Sequence, residues 1–344
     1  MQPAEMSAEI NRDVGPMVDF VDNYPPQLIY FKEDKQVFLE EAEMSLTWHQ
    51  KMLRFLLNRS GSDIIIHDIY TPNQMHTSRW WLPFLDPKSK FYNSVSEEER
   101  KKLWSEVKRM YQKIDAILGE AIHSINEDSY VVLSSDHGAI PLNMEVRLNN
   151  LFAKKGWLKF FVDKKTGETE IDWKNTKVVY LQMNNIYINP KGLNSAFRRV
   201  SGTEYESLRN QVLNVVQELK DENGVYPLEH AAKWENVDTE FDLPNDRVGD
   251  IVIANRAGYN WIEELTDDLK TFKAPLKGGY KQAVVATHEQ GMWTPFVIMG
   301  PGVKKNYQIS KPIQHIEQYP TIMKLLKQPI PDFVEGKPLD EIFQ

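Results

Sequence analysis

The stretch at 130–138, Tyr-Val-Val-Leu-Ser-Ser-Asp-His-Gly, constrains the fold more than any other part of this chain. A β-branched and apolar run ends in two small hydroxyl residues, and a carboxylate and an imidazole follow at once. Such a run, lacking polar alternation, reads as a buried parallel strand with helices on both faces. In open α/β sheets ligands bind beyond the carboxyl ends of strands, so Asp136 and His137 stand where a metal or phosphate would be held. Gly138 lets the backbone turn sharply beside them. The bland alternative is an Asp that caps a loop and a His satisfied by backbone, and the short motif alone leaves both open.

The flanking sequence supplies the rest of a layered fold. Residues 35–58 place Val37, Phe38, Ala42, Leu46, Met52, Leu53, Leu56 and Leu57 among charges, the pattern of a long amphipathic helix. Residues 63–70, Asp-Ile-Ile-Ile-His-Asp-Ile-Tyr, read as a strand, and 71–81 as a loop leading into a helix or aromatic turn. Over 96–125, Ser96 and Glu99 form a capping box, and Leu103, Val107, Met110, Ile114, Ile117 and Ala121 make a core-facing stripe. Strand, helix and strand in that order imply a parallel unit. Beyond Gly138 the pattern predicts a short helix at 149–158 and a hairpin around 165–167. One or two strands follow at 178–189, then an amphipathic helix at 204–220. Short strands are expected at 250–254, 283–287 and 296–299, and a helix begins at 319 with Pro320 in its first turn. The expected class is α/β: a layered, mostly parallel sheet with helices on both faces and a smaller α+β cap insertion. Residues 1–60 form a helical lead-in broken by Asn-Tyr-Pro-Pro at 23–26. Residues 61–344 form the core, and the cap falls within 141–280.

Composition narrows the chemistry. With no cysteine there is no disulfide, thiolate ligand or thiol nucleophile, so a metal must use His and carboxylate. A net charge of −8 argues against a general nucleic-acid binder. No apolar run approaches the ~20 residues of a membrane span. Residues 1–11 are polar and acidic rather than a secretory signal, so a cytoplasmic location is expected. Trp80, Trp81, Trp157 and Trp261 could stack on a base, but read first as core or contact residues.

A second signal comes at 286–291, Ala-Thr-His-Glu-Gln-Gly, where His288 follows another apolar run. Alone, His288 reads more readily as structural than as a ligand. After it come Met299-Gly300-Pro301-Gly302-Val303 and Tyr319-Pro320-Thr321. Together with Ser-Asp-His-Gly, this order resembles the alkaline phosphatase superfamily, and more closely its type I phosphodiesterase/nucleotide pyrophosphatase branch. Asn149-Asn150-Leu151-Phe152 with Gly156, Ile186-Tyr187-Ile188-Asn189 and Gly249-Asp250-Ile251-Val252 are similar too. The resemblance spans 60–337. It implies two divalent metal ions, zinc foremost and manganese as the substitute, around a Thr or Ser nucleophile. Asp136 and His137 would serve the first ion and His288 the second. Two such ions lower the pKa of a nucleophile and stabilise both attacking and leaving oxygens at phosphorus.

Two departures qualify the resemblance. Where the family has Asp-x-x-x-His followed by Trp, this chain has Asn73 and Thr77 counted back from Trp80, with His76 one residue out of register and Asp68 further back. His76, Asp68 and Asn73 are therefore reserve candidates for the second ion. The family's N-terminal strand, carrying an Asp and the nucleophile, should begin further upstream than the 62 residues before Asp63 allow. Thr47 lies in a helical pattern and Ser60 in a turn, so no nucleophile is named. The chain is expected to be the C-terminal portion of a longer protein or one half of a split one, or to pair as a homo-oligomer. The leading functional expectation is a metal-dependent phosphoesterase acting on a small phosphodiester or pyrophosphate, inactive alone if the nucleophile segment is missing. Sulfatase and phosphonate hydrolase chemistry shares the metals. The alternative is a non-catalytic, degenerate member acting as a binding or assembly module. A nucleotide-binding protein using another site is a third reading, without a G-x-x-x-x-G-K-[ST] loop to support it.

Overall fold

The computed structural model describes residues 4–17, 34–59, 61–194, 198–281, 284–285 and 288–344. The chain divides into two compact units. The first comprises Met1–Pro72, Lys108–Gly138 and Trp293–Gln344; the second comprises Asn73–Val107 and Ala139–Met292. The break expected at 23–26 and part of the 283–287 strand lie outside the described residues.

The helical readings at 35–58 and 96–125 hold, the first in the first unit and the second running from the second unit into the first. Helix Lys35–Leu57 starts where the Asp34 carboxylate accepts from the Val37 N–H at 3.0 Å, and it buries Phe38, Ala42, Leu46 and Leu53. Helix Glu97–Ser124 begins with Ser96 Oγ accepting from the Glu99 N–H, and Leu103, Val107, Met110 and Ile117 of the stripe are buried. Glu43 of the first helix pairs with Arg109 and Lys113 of the second.

The strands of the first unit differ from expectation. Val131–Leu133 does form a strand, but it pairs antiparallel with Val297–Met299, in a ribbon of two strands among the described residues. Residues 63–70 carry no ladder, and Ile64 and Ile66 are 67% and 90% exposed. The parallel strand–helix–strand unit is thus not formed among the described residues. Apolar periodicity reports that a segment is extended, whereas its ladder partner is set by segments distant in sequence.

His67 lies on this extended segment, with its Nε2 3.1 Å from His49 Nδ1 of helix Lys35–Leu57. Burial and the neighbouring His49 push His67 down to about 4, against a smaller opposing pull from Asp68. A folded-state value below the ordinary 6.5 means that the unfolded chain binds the proton more tightly. Stability from this group is present above pH 6.5 and is lost as pH falls toward 4. Urea unfolding should therefore show a midpoint that drops across this window in the native chain and drops less in His67→Gln. Parallel pH slopes for the two would refute it.

The second unit holds an extended hydrophobic core that includes Val146, Leu148, Phe152, Val178, Ile186, Val212, Ile251 and Trp261. Its largest sheet orders Val178–Leu181, Asn185–Ile188, Ile251–Asn255 and Leu228–Lys233, all antiparallel. A second sheet places Met144–Arg147 between Tyr259–Ile262, parallel to it, and Phe272–Lys273, antiparallel. The 165–167 turn closes a hairpin of Phe160–Val162 and Thr169–Ile171. Helix Thr203–Gln217 buries Tyr205, Leu208, Val212 and Val216. The α/β class stands, but the mostly parallel pairing does not: among the described strands the one parallel ladder joins Met144–Arg147 to Tyr259–Ile262. Among the described strands, short turns join Phe160–Val162 to Thr169–Ile171 and Val178–Leu181 to Asn185–Ile188, which obliges those pairs to run antiparallel; the remaining ladders join segments distant in sequence, whose direction no local pattern sets.

One motif that carried the resemblance, Asn149-Asn150-Leu151-Phe152, is scaffolding. Asn149 accepts from the Tyr180 N–H and donates to the Tyr180 and Glu263 carbonyls. Asn150 binds Thr266 and the Lys270 carbonyl. A side-chain amide can satisfy several buried backbone groups at once, so this pair ties helix Leu148–Lys154 to a strand and a loop. Trp81 and Trp261, at 0% and 1% exposure, are core residues.

Candidate functional site

Asp136 and His137 leave the strand Val131–Leu133 at its carboxyl end, as expected. Asp136 is open to solvent, and its Oδ2 lies 3.4 Å from His137 Nε2. His137 Nδ1 lies 2.8 Å from the Gly138 carbonyl. A carbonyl only accepts, so Nδ1 carries a proton, and in the neutral ring Nε2 presents its lone pair. The loop is pinned from behind. Ser134 Oγ donates to Gln318 at 2.6 Å, and the Ser135 carbonyl accepts from Thr294 Oγ1, which lies 3.4 Å from His315 Nε2. Sequence reading missed Thr294, His315 and Gln318, because no local pattern links them to residues 134–137.

His288 lies in the second unit. Its Nδ1 is 2.6 Å from Glu229 Oε1, and its side chain is largely exposed. A carboxylate accepts, so Nδ1 again bears the proton and Nε2 the lone pair. Glu229 was not foreseen either, lying 59 positions before His288.

The reserve candidates fall as follows. Asp68 is exposed on the extended segment of the first unit. Asn73 and His76 belong to helix Thr71–Thr77 rather than to a loop. On a helix, positions i+3 and i+4 both neighbour position i, so His76 and Thr77 flank Asn73 on one face and the register offset loses its force. Thr77 Oγ1 is used within the helix, donating to the Asn73 carbonyl at 2.9 Å. Asn73 Oδ1 is buried without a hydrogen-bond partner, as are both amide atoms of Gln74. Burial pushes the His76 imidazole below its ordinary value. The turn carrying His76 rests on a side-chain-free stretch of backbone. Gly278 N–H donates to the Thr77 carbonyl, and a Cβ on Gly279 would meet the His76 carbonyl at 2.4 Å.

Among the described residues no three His, Asp or Glu side chains are grouped as a metal ion would require. The donor chemistry nonetheless suits a divalent cation piece by piece. Two imidazoles hold the ligating tautomer, a carboxylate is open to solvent, and an amide oxygen lacks a donor.

The family model of type I phosphodiesterase/nucleotide pyrophosphatase matches residues 68–288. The chain belongs to the type I phosphodiesterase/nucleotide pyrophosphatase family. Among solved structures, a mutant of the alkaline phosphatase PafA is similar at 16% identity and TM-score 0.47, covering 89% of this chain and 51% of that one. Human ectonucleotide pyrophosphatase/phosphodiesterase 5 is similar at 14% identity and TM-score 0.45, covering 89% and 64%. Phosphonoacetate hydrolase from Sinorhizobium meliloti, in complex with phosphonoacetate, is similar at 14% identity and TM-score 0.41, covering 81% and 54%. The chain thus spans 51% to 64% of the length of these structures. No curated protein sequence matches it. No helix among the described residues is long and apolar enough to cross a membrane.

Proposed function

We propose that this chain forms the metal-binding part of a phosphoesterase that hydrolyses phosphodiester or nucleotide pyrophosphate bonds of a small-molecule substrate. The observation that carries the reading is the pair Asp136–His137. Its 3.4 Å separation of Oδ2 and Nε2 is close to the roughly 3.3 Å between two ligands of a tetrahedral zinc ion with ~2.0–2.1 Å bonds. The Gly138 carbonyl meanwhile holds the tautomer such a ligand needs. Asp136 and His137 would hold one ion, and His288 the other, with His76, Asp68 and Asn73 as further donors. Two bound divalent ions, zinc first and manganese second, would supply Lewis-acid stabilisation of the phosphoryl oxygens and activation of a nucleophile. Residues of this chain orient those ions, and the nucleophile is assigned to none of them. On the proposed division, residues 1–60 would be the lead-in and 61–344 the core, and the cap within 141–280 would shape the substrate pocket.

The same reading accounts for the open ribbon of the first unit. Val132, Val297 and Met299 are exposed although the ribbon is wholly aliphatic, and two strands alone are marginal in water. A further strand, supplied for instance by another copy, would complete it.

The test uses the native protein: bound metal by elemental analysis, hydrolysis of an aryl phosphodiester, and intact mass. About two zinc or manganese ions per chain, with hydrolysis that chelation abolishes, support the enzyme. A metal-free, folded and inactive protein supports the non-catalytic module, a reading favoured by the loss of the Thr77 hydroxyl to its own helix.

A further inference from the structure

We propose that Glu229 is the positioning residue for His288, holding its imidazole in the tautomer that offers Nε2 to a divalent cation. This rests on the reading of His288 as a ligand. Three observations support it. The first is the 2.6 Å contact between His288 Nδ1 and Glu229 Oε1, which places the proton on Nδ1. Glu229 is the more sheltered partner, at 27% side-chain exposure against 64% for His288, so the pair leaves most of the imidazole open to solvent. Among the described residues His288 is the only group paired in charge with Glu229.

The second observation is a backbone irregularity at Glu229 itself. Strand Leu228–Lys233 lies at the edge of its sheet and pairs antiparallel with Ile251–Asn255. Leu228 faces Asn255 and His230 faces Ala254, so Glu229 is an extra residue with no partner across the ladder. A bulge of this kind re-aims a side chain, and bulges gather at sheet edges and beside active sites. The adjacent His230 is engaged elsewhere, its Nε2 2.7 Å from Glu240, so it does not compete for Glu229.

The third is how the segment before His288 is anchored. Val284 bridges to Asn255, the residue opposite Leu228, and the His288 N–H donates to the Val285 carbonyl at 2.9 Å. The backbone that carries His288 is therefore tied to the same ladder position at which the bulge begins. A carboxylate behind a ligating imidazole fixes the ring and makes it a better donor. Loss of such a partner typically weakens metal binding 10–100-fold.

The experiment measures Zn²⁺ affinity of the full 344-residue chain by competition with a chromophoric chelator, together with ¹⁵N spectra of the zinc-free imidazoles. Glu229→Ala is expected to weaken Zn²⁺ binding roughly 10–100-fold and to convert His288 from the Nδ1–H form to a tautomer mixture. Glu229→Gln, whose amide oxygen still accepts from Nδ1, should restore the tautomer and most of the affinity. In a His288→Ala background Glu229→Ala should have no further effect. Should Glu229→Ala not fold, Glu229→Asp withdraws the carboxylate by one methylene and is expected to weaken binding in the same direction. If His288→Ala weakens Zn²⁺ binding while the Glu229 variants bind as the native chain does, the positioning role is overturned and the ligand reading survives. If His288→Ala leaves Zn²⁺ binding unchanged, the ligand reading falls, and this inference with it.

Discussion

Asp136→Ala in the native protein is expected to lower aryl phosphodiester hydrolysis by roughly a thousandfold, about 4 kcal/mol of transition-state stabilisation. The argument starts from charge. Among the described residues Asp136 is the one carboxylate paired with His137, and its side chain is 84% exposed, so its removal strands no buried group and leaves the fold intact. On the proposed reading, what is lost is an anionic donor to a dication, for which a neutral neighbour cannot compensate. Asp136→Asn keeps the shape and loses the charge, and should fall between Ala and the native residue. Metal content must fall in step with activity. Hydrolysis that survives Asp136→Ala undiminished would place the metal chemistry elsewhere in the protein. The substitution is best made together with a measurement of thermal unfolding, which should not move.

Asp250→Ala is expected to cost about 3 kcal/mol of stability. Asp250 is fully buried. Its Oδ1 accepts from the Tyr205 hydroxyl and its Oδ2 from the Ile188 N–H, each at 2.6 Å, and the Arg199 Nε lies 3.8 Å away. Burial pushes the carboxyl above its ordinary value, and these donors and cations pull it back. Truncation leaves a buried hydroxyl and a buried amide without an acceptor, and a guanidinium without its counter-charge. Gly249 just before it cannot be filled instead, because a Cβ there would meet the Ile186 carbonyl at 2.8 Å. Asp250→Asn retains one acceptor and should lose about half as much. Urea unfolding of the chain decides: a loss under about 1 kcal/mol would show that the network is not part of what holds the sheet to helix Thr203–Gln217.

Both substitutions touch motifs visible in the sequence, but for opposite reasons. Ser-Asp-His-Gly drew attention because its polar residues follow an apolar run directly, and in the structure it remains a surface loop with an exposed acid. Gly249-Asp250-Ile251-Val252 looked like part of the same family pattern, and in the structure it is a buried brace. A motif matched in order says which residues matter, and only burial and partners separate chemistry from architecture.

The amino-acid order by itself determined the helices at 35–57, 97–124 and 203–217, the hairpin around 165–167, and the acid–imidazole pair at the end of a strand. Each of these rests on periodicity or on adjacent residues, which act over one or two turns of chain. Tertiary structure alone decided that Val131–Leu133 runs antiparallel to Val297–Met299, that Asn73 and His76 share a helical face, and that a bulge residue on a remote edge strand turns its carboxylate onto His288. A ladder partner or a hydrogen-bond acceptor is selected by whichever distant segment the fold brings within about 3 Å, and no local pattern carries that information.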